Sequence, residues 1–238
     1  ALICSAFVAV TYGLARFVFG LFLPTIRADM GISAEVAGII GAIPFATFVP
    51  ASLIAPRLAG YLGAKATAGI AGVLAVLGLT LISIAPGPMV LGLGVGLCGL
   101  STGMSLPMAA QAVSTAMPAF LQGRANAVIN AGTSIGIAIA GPAVLWWADV
   151  WRPTYAVFAA IAILTLLAAL ARLPGKPSHS EPEDNTNTSV TRSAQVIAML
   201  RLGVLAIVMG FVSGIYWVFA PDFVVNSGMG ASATAWLW

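Results

Sequence analysis

Residues 2–25, LICSAFVAVTYGLARFVFGLFLPT, form an apolar run with one charged side chain, Arg16, near its middle. About 20 mostly apolar residues are enough for a helix to cross the hydrocarbon core of a bilayer. An arginine at that depth costs at least about 2.5 kcal/mol, so it should face the protein interior or an aqueous cavity. The stretch therefore predicts a membrane-spanning helix that carries a functional arginine.

Further apolar runs of similar length follow the first. They cover residues 34–56, 67–85, 89–114, 125–147, 153–173 and 202–224. Hydrophobic residues make up 60% of the chain and charged residues 7%, whereas a soluble domain has about 25% charged residues. The composition predicts an all-α integral membrane protein, and we number its predicted spans 1 to 7.

Composition and motif spacing also exclude several classes of protein. The net charge is +3, but the basic residues are scattered singly, so we expect no nucleic-acid partner. Cys4 and Cys98 lie in different spans without metal-ligand spacing, and the only histidine, His179, lies in a polar segment. We therefore expect no metal and no cofactor. The spans also lack the histidine or paired carboxylates of a membrane-embedded enzyme, so we predict that the protein is not an enzyme.

Lysine and arginine are distributed unevenly between the two predicted sides of the membrane. One side carries Arg57, Lys65, Arg124, Arg172, Lys176, Arg192 and Arg201, whereas the opposite side carries only Arg27 and Arg152. Cytoplasmic loops carry the excess of basic residues. We therefore predict a multi-pass protein of the plasma (inner) membrane with a cytoplasmic N-terminus and a cytoplasmic central linker.

A hydrophilic segment, residues 174–195, separates two parts of the chain that begin alike. Phe-Leu-Pro at 22–24 and Met-Gly at 30–31 are echoed by Phe-Ala-Pro at 219–221 and Met-Gly at 229–230. The segment is rich in Pro, Ser, Asn, Thr and acids and has little to bury, so we predict a linker. Such a restart is typical of a duplicated membrane protein with parallel repeats.

The polar segment and the repeated pattern on either side of it divide the chain into three parts. We predict an N-terminal six-helix transmembrane half at 1–173, a cytoplasmic linker at 174–195 and the start of a C-terminal half at 196–238. The chain opens without methionine inside an apolar run and stops as another helix begins. We therefore expect that the second repeat is truncated and that the sequence is a fragment of a longer protein.

This organisation resembles the major facilitator superfamily of secondary transporters. The segment from Tyr12-Gly13-Leu14-Ala15-Arg16-Phe17 through Leu23-Pro24 is most similar to its YbfB/YjiJ-type branch. The resemblance implies a helical bundle of two parallel six-helix repeats that alternates access to a central site. The partners it implies are the lipid bilayer, a small-molecule solute and either protons or a counter-anion. We expect the protein to be a monomer.

The turn between spans 2 and 3 keeps part of a family motif, Gly-x-x-x-Asp-Arg-x-Gly-Arg-Lys. Here Gly63 and Lys65 are kept, while Gly60 and Tyr61 replace the acid and the first arginine. The resemblance implies a weakened or different latch on the cytoplasmic gate. A tight glycine turn with an anchoring lysine explains the residues equally well.

In span 5, Gly132, Gly136 and Gly141-Pro142 resemble the glycine-rich, proline-ended pattern of exporters in the superfamily. The resemblance implies gating at Gly136, Gly141 and Pro142. Close helix packing is the alternative, because small residues are enriched at membrane helix contacts. Span 4 lacks the arginine that the family links to proton coupling.

Polar groups within the apolar spans are the candidate substrate contacts. Arg16 offers a fork of donors suited to a carboxylate or phosphate, with Tyr12 one turn away and Phe17 beside it. The alternative is a structural pair between Arg16 and a carboxylate on helices beyond the sequence. Further candidates are Gln111, Asn130, Tyr216 and Trp217, for which interhelical hydrogen bonds or aromatic packing are the alternatives.

The carboxylates of the predicted spans, Asp29, Glu35, Asp149 and Asp222, all fall near their outer ends. Asp222 is the candidate for coupling, with a polar helix end as the alternative. Taken together, the sequence predicts a secondary active transporter of a small anionic organic solute. A seven-span ligand-binding receptor or sensor is the alternative.

Overall fold

The computed structural model describes residues 1–175 and single positions or pairs further along. These are 201, 204–205, 208–209, 212–213, 215–216, 223–224 and 227. Within this part of the chain, six helices are long and apolar enough to cross a membrane. They are Leu2–Met30, Ala34–Leu62, Ala64–Ser83, Pro88–Ala116, Ala119–Val144 and Trp151–Arg172, and they correspond to predicted spans 1 to 6. The predicted all-helical membrane fold is confirmed.

Each of the six helices begins at or before the apolar stretch that predicted it, and spans 1, 2 and 4 also end after it. Spans 1, 2 and 4 each have 29 residues, or about 43 Å at 1.5 Å per residue, against a hydrocarbon core of about 30 Å. The reason is backbone hydrogen bonding, which continues until a capping residue ends it. Span 1 ends at Gly31, where φ is 63°, and the Ser33 hydroxyl then accepts a hydrogen bond from Val36 N–H at the start of span 2.

Spans 2 and 3 are joined by a single residue, Gly63, whose φ is 84° and ψ is 166°. The Thr67 hydroxyl donates to the Gly63 carbonyl over 2.9 Å, which anchors the first turn of span 3. The Lys65 N–H donates to the Pro174 carbonyl over 3.3 Å and joins this turn to the end of span 6. We call this end of the bundle the Gly63 end.

At the opposite end, Arg152 of span 6 connects three spans. Its guanidinium forms an ion pair with Asp29 of span 1 and donates to the Ala85 carbonyl, which follows span 3, over 3.2 Å. Trp151 Nε1 also donates to Asp29, and the Ser83 hydroxyl donates to the Arg152 carbonyl over 2.7 Å. We call this end of the bundle the Asp29 end.

Glycines set the close packing between the spans. A Cβ atom built on Gly78 of span 3 would lie 2.7 Å from the Gly94 carbonyl oxygen of span 4. On another face of span 4, a Cβ on Gly103 would lie 2.6 Å from the Phe48 carbonyl oxygen of span 2. Span 4 is therefore packed closely between spans 2 and 3, and small residues are generally enriched at such membrane helix contacts.

Candidate functional site

The middle of span 1, Ala9–Phe17, is wound as a π-helix and not as an α-helix. The Val18 N–H donates to the Gly13 carbonyl, five residues earlier. An apolar run predicts a regular α-helix, so this winding is a difference from the sequence-based expectation. π-Helical turns are rare and are frequently found at functional sites. Three predicted substrate contacts, Tyr12, Arg16 and Phe17, lie inside the segment.

Neighbouring spans support the π-helical segment on two sides. The Thr102 hydroxyl of span 4 lies 2.9 Å from the Thr11 carbonyl oxygen and 2.7 Å from the Cys98 carbonyl oxygen of its own helix, so these two acceptors share its single proton. On the other side, the backbone of Gly136 in span 5 is close enough that a Cβ on Gly13 would overlap it. The segment is fixed between two rigid helices.

Arg16 lies at the centre of span 1, with fourteen residues of the helix before it (2–15) and fourteen after it (17–30). Its guanidinium carbon is 4.4 Å from the ring centroid of Phe48, 4.5 Å from that of Phe45 and 5.4 Å from that of Phe17. Its Nε is buried and has no hydrogen-bond partner among the described residues. The arginine is thus a cation enclosed by aromatic rings at mid-membrane depth.

The predicted contacts Tyr12, Arg16 and Phe17 come together around the ring of Phe48. The Tyr12 ring centroid is 6.4 Å from that of Phe48 and 6.3 Å from that of Phe17. Tyr12 is buried, while Arg16 and Phe17 are half-buried. We call Tyr12, Arg16, Phe17, Phe45 and Phe48 the arginine cluster.

Phe45 and Phe48 are members of this cluster that sequence analysis missed. They lie three residues apart on span 2, so they share one helix face. In an apolar membrane helix, phenylalanines at this spacing are indistinguishable from packing residues. Only the position of Arg16 opposite them gives them a distinct environment.

The described carboxylates lie far from Arg16. Asp29, Glu35 and Asp149 are all at the Asp29 end, and Asp29 is paired with Arg152. Thirteen residues separate Arg16 from Asp29 along span 1 (29 − 16), which is about 20 Å at 1.5 Å per residue. Within residues 1–175, no carboxylate is placed to pair with Arg16.

The other polar candidates lie nearer the Gly63 end. Gln111 is half-buried in span 4, and its backbone carbonyl accepts hydrogen bonds from the Ser114 and Thr115 hydroxyls. Asn130 of span 5 is exposed, and its side-chain amide donates to the Asn126 carbonyl over 2.9 Å.

Tyr216 is a half-exposed helical residue, while Trp217 and Asp222 lie outside the described residues. The predicted linker also lies outside them, apart from residues 174 and 175. The predicted roles of these positions stay predictions.

The residues of the two family motifs occupy different surroundings. A Cβ on Gly60 would contact nothing within 4 Å, whereas Gly63 forms the positive-φ turn, and Lys65 is exposed beside it.

In span 5, a Cβ on Gly136 would overlap the Ala9 carbonyl of span 1. Gly141 is buried, and Pro142 is exposed inside a helix that continues past it to Trp147. The packing alternative fits the geometry at Gly136 and the turn alternative fits that at Gly63, while the gating and latch roles stay predictions.

A surface groove of about 590 Å³ lies elsewhere, between spans 2 and 4 near the Asp29 end. Its walls are almost wholly apolar, with Ile39, Ile43 and Leu93 among them, and it includes no member of the arginine cluster. Because it lacks a convergent set of polar groups, it is a weaker candidate for a solute site than the cluster.

Comparisons with solved structures find transporters of the same fold. A bacterial homologue of the human lysosomal transporter Spinster, in its inward-facing and occupied conformation, matches with a TM-score of 0.71 and 17% identity. The match covers 98% of this chain and 56% of that one. A D-xylose–proton symporter matches with a TM-score of 0.64 and 14% identity, covering 98% of this chain and 63% of that one.

The nucleoside transporter NupG (D323A mutant) matches with a TM-score of 0.61 and 15% identity, over 93% of this chain and 58% of that one. The chain therefore spans a little over half the length of these transporters. Among curated proteins, no sequence matches the chain. The family model of the Major Facilitator Superfamily matches residues 5–238. With six membrane-length helices in the same arrangement, the chain belongs to the Major Facilitator Superfamily.

Proposed function

We propose that the protein is a secondary active transporter that moves a small organic anion across the plasma (inner) membrane by alternating access. The observation that carries this proposal is Arg16, a cation at the centre of span 1 with no carboxylate partner in residues 1–175. Family membership favours a transporter over the seven-span receptor that the sequence left as an alternative. We keep the YbfB/YjiJ-type branch as part of the proposal.

The energetics of a buried cation support an anionic solute. A charged side chain within the membrane is costly unless it is paired or hydrated, and such residues commonly mark substrate paths. The guanidinium of Arg16 is half-buried among rings, and its Nε has no hydrogen-bond partner among the described residues. An anion would supply both the missing charge and the missing acceptor, and a carboxylate matches the geometry of the guanidinium fork.

The π-helical winding of Ala9–Phe17 supports a working site at the same position. It sets Tyr12 and Arg16 around the same ring, that of Phe48. A phenol beside a guanidinium adds a second donor for the anion. We propose that Tyr12, Arg16 and Phe17 form this half of the solute site and that Gln111, Asn130, Tyr216 and Trp217 contact the solute at other stages of the cycle.

The charge distribution supports the proposed orientation. At the Gly63 end, the described chain has Arg57, Lys65, Arg124 and Arg172 and no carboxylate. The Asp29 end combines Arg27 and Arg152 with three carboxylates, so its net charge is 2 − 3 = −1. By the positive-inside rule, we propose that the Gly63 end is cytoplasmic. We also propose that Asp222 couples transport to protons, or that exchange for a counter-anion replaces such coupling.

The experiment that tests this proposal is counterflow in proteoliposomes with the full-length protein. Liposomes would be loaded with a mixture of unlabelled small carboxylates, or with neutral sugars, or with primary amines. Uptake of a labelled trace of each class would then be followed against protein-free liposomes. We expect counterflow with the carboxylates alone. Counterflow confined to sugars or amines would contradict the proposal.

A further inference from the structure

We infer that the solute is a monoanion with an apolar body, and that Phe45 and Phe48 select it. This inference rests on the proposed function, because it names the class of anion held at Arg16. It concerns two residues to which neither the family motifs nor the sequence assigned a role. Three observations carry it: the rings around the guanidinium, the isolation of its charge, and the shared face of the two phenylalanines.

The first observation is the chemical nature of the surface around Arg16. Three phenyl rings, those of Phe17, Phe45 and Phe48, have their centroids within 5.4 Å of the guanidinium carbon. Aromatic faces attract a cation but are only weak hydrogen-bond acceptors for the polar groups of a hydrophilic solute. A hydroxyl or second carboxylate placed against them would lose its water without gaining a partner. The apolar body of a solute would lose no such bonds.

The second observation is that a single positive charge serves this site within the described residues. Arg27, on the same helix, is eleven residues away (27 − 16), or about 16 Å, and Arg152 is paired with Asp29 at that far end. Arg57 and Lys65 lie at the Gly63 end of the bundle. One carboxylate is therefore neutralised at the cluster, while the second charge of a dicarboxylate or phosphate dianion has no cation within reach among these residues.

The third observation is that Phe45 and Phe48 act as one wall. They share a face of span 2, and the backbone of that helix is held against span 4 at Phe48 by Gly103. The Thr47 hydroxyl adds a link, since it lies 3.0 Å from the Gly96 carbonyl oxygen of span 4. The wall is thus fixed in position opposite Arg16, which is the arrangement that a selective contact requires.

The test measures the concentration at which each of four anions inhibits uptake of a labelled small carboxylate into proteoliposomes. The four anions are benzoate, formate, succinate and inorganic phosphate. We expect benzoate to compete at a concentration at least tenfold lower than the other three. In Phe45→Ala and Phe48→Ala, the ratio of the inhibitory concentration of formate to that of benzoate should fall by about tenfold. The inhibitory concentration of formate itself should change less than threefold. Phe45→Leu and Phe48→Leu are conservative variants that should fold and should show an intermediate loss.

Phe120→Ala is the matched control, because Phe120 is 79% exposed and lies at the start of span 5 near the Gly63 end. This variant should leave the inhibitory concentrations of all four anions unchanged. Stronger competition by succinate or phosphate than by benzoate would overturn the inference, as would an unchanged benzoate-to-formate ratio in the Phe45 and Phe48 variants. Either result leaves anion transport itself intact. A wild-type protein that responds to none of the four anions would instead contradict the proposed function.

Discussion

Gly13 of span 1 and Gly136 of span 5 meet backbone to backbone, so a Cβ atom on Gly13 would overlap the carbonyl carbon and Cα of Gly136. The contact lies one turn from Arg16, inside the π-helical segment. Glycines at both positions therefore fix how closely span 5 approaches the arginine cluster. The same pattern continues at Gly132, where a Cβ would overlap the Ser5 carbonyl.

Replacing Gly136 by alanine should destabilise the bundle, because the added methyl group meets the backbone of Ala9 and Gly13. Overpacking of this kind typically costs about 1–3 kcal/mol, and the thermal unfolding temperature of the purified protein should fall. Gly123→Ala is the control on the same helix, since its Cβ would meet nothing within 4 Å. It should be neutral or slightly stabilising, as alanine is the better helix former. Equal effects of the two variants would contradict the packing account.

Gly63→Ala should destabilise the protein by about 1–3 kcal/mol, because φ 84° and ψ 166° form a region that only glycine occupies readily. Gly60→Ala, three residues earlier in a helix with open space around it, should have little effect on stability. Thermal unfolding of the two purified variants measures the difference. A larger loss in Gly60→Ala would favour the latch interpretation of this motif over the turn interpretation.

Reversing one charge of the Asp29–Arg152 pair should destabilise the Asp29 end, and reversing both should recover part of the lost stability. The ion pair is partly exposed, with side chains 45% and 40% accessible, so its contribution alone is small. Asp29→Arg places two cations together, which should lower the unfolding temperature clearly. The double variant Asp29→Arg/Arg152→Asp should recover part of that loss. A loss in the double variant that equals or exceeds the sum of the losses in Asp29→Arg and Arg152→Asp would show that the pair makes no favourable contribution.

The proposed orientation can be measured by labelling introduced cysteines in intact cells. Cys4 and Cys98 are buried and would first be replaced by alanine. Gly87→Cys, in the turn before span 4, should then react with a membrane-impermeant maleimide, because we place that turn on the side of the membrane opposite the cytoplasm. Gly123→Cys, near the start of span 5, should react only after the cells are opened. The reverse pattern would invert the orientation.

Much of the fold was predictable, because it depends on periodic features of the sequence. Apolar runs located all six described spans but not their ends, which are set by caps such as Gly31 and Ser33. The grouping of Tyr12, Arg16 and Phe17 followed from their spacing on one helix. Interhelical features were not predictable. The π-helical winding depends on the neighbours of span 1, and Phe45 and Phe48 gain their environment from a residue some thirty positions away.

The most direct test of the central claim is the uptake of an organic anion by the Arg16→Gln variant of the full-length protein. Glutamine keeps a polar, though shorter, side chain and removes the charge, so we expect uptake to fall at least tenfold, in line with the loss of a charge-assisted hydrogen bond worth about 1.5–3 kcal/mol. Membrane insertion and thermal stability should stay near the wild-type values. Arg57→Gln, at the Gly63 end, is the control and should transport normally. Normal uptake kinetics in Arg16→Gln would contradict the role of Arg16 in binding the solute.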